Sequence, residues 1–141
     1  MMSEHTRLRV LIVADDPTTL SLLQQAFADS GWVVETAPDG PTAVAASERT
    51  SFALTMINLG LAGMSGSQLA ATIAQRWPDT AVMIIGGPHD LTKAASYLRA
   101  GADNHLPEPF DVEEVMVRAQ RALERRRLIL ERCKRKQEPE D

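Results

Sequence analysis

Two carboxylates stand side by side at Asp15 and Asp16, directly after the apolar run RLRVLIV at residues 7–13 and directly before Pro17. The Asp-Pro step suits a helix start, with Asp16 as the N-cap and Pro17 as the first helical residue. His5, His89 and His105 are scattered, and their spacing shows no Ser/His/Asp or Cys/His constellation. The glycine-containing loop from Gly60 to Gly66 lacks the lysine and helix-start pattern of a Walker loop, so nucleotide cradling is not expected. Cys133 is the only cysteine, which excludes an intramolecular disulfide framework and a zinc ribbon. The chain is not expected to be an enzyme.

Charge is distributed unevenly. Residues 118–136 hold nine Lys or Arg against two Glu, a balance of +7, whereas residues 1–117 hold six bases against fourteen acids, a balance of −8. A basic stretch of this kind can touch nucleic acid. It lacks interleaved aromatic residues for base stacking, and basic side chains also suit the end of a helix dipole, so nucleic acid is the least favoured partner. With 141 residues, 44% of them hydrophobic, the chain is expected to form one globular core. No apolar run approaches the roughly 18 residues that span a bilayer, and MMSEHTRLRV does not read as a secretory signal. A cytoplasmic location without membrane contact is the expectation.

These residues are held by a regular alternation of elements. Residues 7–13 read as a buried strand, and Leu20, Leu23 and Phe27 then recur at helical spacing until Gly31. Further strands are predicted at 32–36, 52–58, 80–85 and 103–106. Helices are predicted over 41–47, 65–77, 90–100 and from Asp111 past Arg132. Five strand and helix pairs in strict alternation imply an α/β fold with a doubly wound parallel sheet. The flavodoxin-like (βα)5 order 2-1-3-4-5 is the natural choice, and it places a site at the carboxyl ends of strands 1 and 3, where Asp15, Asp16 and Asn58 stand.

Over residues 7–125 the chain resembles the receiver domain of two-component response regulators. The resemblance is carried by VLIVADDP, MINLGLAGMSG, IIGGPHD and GADNHLPEPF. It implies that an acidic pair binds Mg²⁺, that an aspartate ending strand 3 takes a phosphoryl group from a histidine kinase, and that a Thr or Ser and a Lys respond to it. Asp15 and Asp16 match the acidic pair. Asn58 stands at the phosphoacceptor position, Gly86 at the Thr or Ser position and Glu108 at the Lys position.

All three differences act against phosphoryl chemistry. An amide is a far poorer nucleophile than a carboxylate, and Gly86 has no hydroxyl to donate. Glu108 reverses the sign of an interaction worth about 4 kcal/mol at ~4 Å and an effective dielectric of ~20. The resemblance further implies a switching aromatic at His105, expected as a partly exposed edge residue, and a cis bond before Pro109. A degenerate pocket of Asn58, Gly86 and Glu108 is therefore expected, with weak Mg²⁺ binding at Asp15 and Asp16 or none, and no required cofactor.

The last helix carries Met116, Ala119, Leu123, Arg126, Leu130 and Cys133 at spacings of three and four, a coiled-coil seam interrupted by one arginine. It predicts a homodimer or a linker helix, with 126–141 as a basic extension and frayed charged tail. Leu98, Asp103 and His105 are expected to join this helix in an interaction face for a histidine kinase or an output protein. Three functional readings follow. The leading one is a phosphorylation-independent interaction module, the second a receiver phosphorylated at Asp15 or Asp16 with Mg²⁺, and the third a nucleic-acid-associated module using the basic helix.

Overall fold

The computed structural model describes residues 7–61, 64–86 and 91–137. Strands and helices alternate as β1 (Arg9–Val13), α1 (Pro17–Asp29), β2 (Val33–Ala37), α2 (Gly40–Arg49), β3 (Leu54–Asn58), α3 (Gly66–Arg76), β4 (Ala81–Ile85), α4 (Leu91–Arg99), β5 (Asn104–Leu106) and α5 (Val112–Gln137). All strand pairs are parallel and the sheet order is β2-β1-β3-β4-β5, the expected doubly wound arrangement.

Local chemistry explains the helix starts. Asp16 accepts a hydrogen bond from the Thr19 amide with Pro17 next in line, Asp39 accepts from the Thr42 amide, and Ser65 and Gln68 form a reciprocal capping box. The strands follow from two-residue alternation. Val10, Ile12, Leu54, Met56, Met83 and Ile85 point to one face, where they pack with Leu23 and Phe27 of α1 and Val115, Ala119 and Ala122 of α5. Leu11, Val13, Ile57, Val82 and Ile84 point to the other, against Ala43 and Ala46 of α2 and Leu69, Ala70 and Ile73 of α3. Both faces of the sheet are therefore covered, which is why the strands read as continuous apolar runs. Strand β2 begins one residue later than predicted. Trp32 instead packs edge-to-face on Phe27, with ring centroids 5.0 Å apart, and closes the turn after α1.

The seam predicted along the last helix is corrected by the packing. Ala119 is fully buried in the core, and Met116 and Leu123 are half-buried against it. These residues hold α5 onto its own sheet, because a helix laid on a sheet must turn its apolar stripe inward. Beyond them, Leu130 is half-buried and Cys133 is exposed.

Thr55 stands fully buried in the middle of β3, and its hydroxyl has no hydrogen-bond partner among the described residues. A buried unpartnered hydroxyl costs about 1–3 kcal/mol. Thr55→Val removes it at nearly constant shape and is expected to raise the unfolding free energy by about 1 kcal/mol, read as a higher urea midpoint with an unchanged slope. A lower midpoint would refute the assignment.

Candidate functional site

The carboxyl ends of β1, β3 and β4 meet the loop after β5. Asn58 ends β3, and its Oδ1 accepts the Gly60 amide at 3.0 Å, a local turn that fixes the side chain. Gly86 follows β4 with φ at +91°. A Cβ built on Gly86 would lie 3.0 Å from Glu108 Oε1 and 4.0 Å from Asn58 Oδ1. The three altered positions thus converge on one point. Glu108 itself is exposed, and the Glu108–Pro109 bond is cis, as the resemblance implied. Gly66 brings the first turn of α3 against this corner, since a Cβ there would meet the Asn58 carbonyl oxygen and Leu59 Cα, each at 2.9 Å.

The acidic pair is divided in role. Asp16 Oδ2 accepts both the Thr19 hydroxyl, at 2.6 Å, and the Thr19 amide, at 3.1 Å. Those two bonds, the hydroxyl's first, hold its carboxyl below the ordinary carboxylate value of 3.8. Asp15 is exposed beside it. Because the folded-state value of Asp16 is depressed, its contribution is complete above 3.8 and fades as pH falls through the folded value. Asp16→Asn is therefore expected to flatten the acid limb of the stability profile, which a series of thermal melts below pH 5 measures. An acid limb identical to that of the unaltered chain would contradict this role.

Part of the oxygen at this corner is already engaged, since Asp16 Oδ2 caps α1 and Asn58 brings a neutral oxygen that accepts the Gly60 amide. Among the described residues, no three His, Cys, Asp or Glu side chains converge as a metal site.

Of the side chains expected on an outer face, Leu98 is exposed on α4, whereas His105 and Asp103 are not. His105 is buried rather than partly exposed. Its Nε2 lies 2.7 Å from the Gly86 carbonyl oxygen, and its ring stands edge-on to Tyr97 at 5.0 Å. Asp103 is also buried, with its side chain 0% exposed. Its Oδ2 accepts the Val82 amide at 2.9 Å, and its carboxylate takes Arg125 and Arg126 of α5. Burial withdraws Asp103 and His105 from any contact face, because a carboxylate with two guanidinium partners is stable inside while an unpaired one is not.

These contacts also explain the arginine that interrupts the helical seam. Arg126 points inward to reach Asp103, so a boundary drawn between residues 125 and 126 parts two side chains that share one carboxylate. A third arginine of α5, Arg118, reaches back to β5. Its Nη1 donates to the His105 carbonyl oxygen at 2.6 Å and to Asn104 Oδ1 at 3.3 Å, while Asn104 Oδ1 accepts the His105 amide at 2.8 Å. Apart from Arg126, which interrupts the apolar spacing, the arginines of α5 were legible only as net charge. The signal for their role was an arginine at an inward helical position.

Comparison with known proteins bears on the whole arrangement. The family model for the response regulator receiver domain matches residues 10–120. The chain is 32% identical over 118 residues to the transcriptional regulatory protein TcrA of Mycobacterium tuberculosis, covering 84% of this chain and 46% of that one. It is 32% identical over 114 residues to the DNA-binding transcriptional regulator NtrC of Salmonella typhimurium, covering 81% and 24%. It therefore spans less than half the length of either relative. The crystal structure of the receiver domain of NtrX from Brucella abortus superposes with a TM-score of 0.76 at 29% identity, over 82% of this chain and 98% of that one. No helix among the described residues is long and apolar enough to cross a membrane.

Proposed function

Since the chain belongs to the response regulator receiver domain family of two-component signalling, we propose that it is a protein-interaction module read by its partner without aspartyl phosphorylation. The observation that carries this reading is the corner itself. An amide ends β3 where a carboxylate nucleophile is needed, and Glu108 faces it across Gly86 where a cation is needed. Asn58 is not a carboxylate nucleophile and Glu108 is not a counter-charge for a phosphoryl group. No metal is required in this reading. Response regulators work with histidine kinases and output domains, and a protein of one of these kinds is the partner proposed here. A ligand or partner can bias the module only by binding two of its conformations differently.

Of the two competing acceptors, Asp16 is already engaged. Asp16 would have to leave the cap of α1 to act as a nucleophile. The nucleic-acid reading loses Arg118, Arg125 and Arg126 to contacts within the chain.

Intact mass spectrometry after incubation with Mg²⁺ and acetyl phosphate tests the proposal. The unaltered chain is expected to gain no phosphoryl group, and the Asn58→Asp, Glu108→Lys variant is expected to gain one. An adduct on the unaltered chain would overturn the proposal and direct attention to Asp15 and Asp16.

A further inference from the structure

The outward side of α5 presents Glu113, Val117, Arg121, Glu124, Leu128 and Arg132, at successive spacings of four, four, three, four and four. Such spacings keep side chains on one side of a helix. All six are exposed, whereas Val115, Ala119 and Ala122 face the core. Val117 is 44% exposed and Leu128 43%. A shallow groove runs along the later part of the row, lined by Arg121, Glu124, Leu128 and Arg132 together with Arg125 and Ile129.

The order along this row is acid, valine, base, acid, leucine, base. Reversed, it is the same row with the charge signs exchanged. Set against an identical helix running the opposite way, Glu113 faces Arg132, Val117 faces Leu128 and Arg121 faces Glu124, and two-fold symmetry makes each pairing occur twice. A parallel arrangement would instead stack Arg121 on Arg121 and Glu124 on Glu124. We propose that this row is a self-complementary face on which a second copy of the chain docks, α5 against α5, antiparallel.

The face spans roughly 29 Å at the rise of an α-helix. Only one intrachain partner has to be exchanged. Glu124 pairs with Arg127 at 2.6 Å, both side chains being 56% exposed, and such surface pairs are worth little. The row is separate from Met116, Ala119 and Leu123, which the core uses, and the proposal does not depend on the corner at Asn58.

Sedimentation equilibrium of the full chain at low salt tests it. A reversible dimer is expected by about 100 μM, the range of a modest interface. Arg121→Glu is expected to weaken association by at least about tenfold, because like charges then meet twice. Adding Glu124→Arg to that variant exchanges the two signs and is expected to restore the dimer. Leu128→Asp is expected to abolish it. Every substitution is at an exposed position, so an unchanged thermal melt verifies the fold. For orientation, Val117→Cys and Leu128→Cys chains, each also carrying Cys133→Ser, are expected to form a mixed disulfide when combined and no disulfide alone. A monomer at about 100 μM, a charge exchange that fails to restore association, or self-crosslinking of Leu128→Cys would each overturn the proposal.

Discussion

Asp103→Ala is expected to lower the unfolding free energy by about 3–5 kcal/mol, the cost of breaking a buried ion pair from one side. The carboxylate is fully buried, and its removal strands Arg126, whose side chain is only 13% exposed. It also takes the acceptor from the Val82 amide in the sheet. Asp103→Asn keeps an oxygen for Val82 while removing the charge, so it should fall between the alanine variant and the unaltered chain. Arg125→Ala is the control, because Arg125 is 41% exposed and Asp103 retains Arg126 and Val82 without it. Its cost should stay near 1 kcal/mol. Urea unfolding followed by circular dichroism ranks the three. An alanine variant no weaker than the Arg125 control would show that the clasp does not hold α5.

The second large effect is expected where family chemistry invites a repair. Gly86→Thr supplies the missing hydroxyl, yet it should cost about 1–3 kcal/mol, because a β-branched residue is strained at positive φ. The backbone has little freedom to move away from that angle. The Gly86 amide donates to the Leu106 carbonyl oxygen at 2.8 Å, and its own carbonyl oxygen lies 2.7 Å from His105 Nε2. The approach of the new Cβ to Glu108 Oε1 is the lesser part, since that oxygen is the tip of an exposed side chain. Gly86→Thr should therefore destabilise both the unaltered chain and the Asn58→Asp, Glu108→Lys variant by similar amounts. A neutral substitution in the unaltered chain would mean that the turn relaxes to negative φ.

The strands and their order were legible because burial on both faces leaves an apolar run that only a covered parallel sheet accommodates, as in VLIV of β1. Asp16-Pro17 and Ser65 marked helix starts for reasons contained within one turn of chain. Asn58, Gly86 and Glu108 could be located by their place after successive strands. The positive φ of Gly86 could not, because its amide and carbonyl are engaged by β5, whose His105 is 19 residues away. The Asp103 clasp was hidden for the same reason, as its partners lie 22 and 23 residues further along. Periodicity alone did not distinguish a seam facing another helix from a stripe facing the sheet, and Met116, Ala119 and Leu123 fell on the sheet side.

The grip of Arg118 and Asn104 on His105 has a consequence for how the molecule behaves among its own copies. β5 is the terminal strand of the sheet, and an open terminal strand offers its free amide and carbonyl groups as a template for foreign strands. Here the His105 amide is taken by Asn104 and its carbonyl by Arg118. With only three residues and its central backbone groups stoppered, β5 cannot readily recruit an extended peptide or seed cross-strand aggregation. One side chain of α5 and one of β5 itself thus stopper this edge of the sheet.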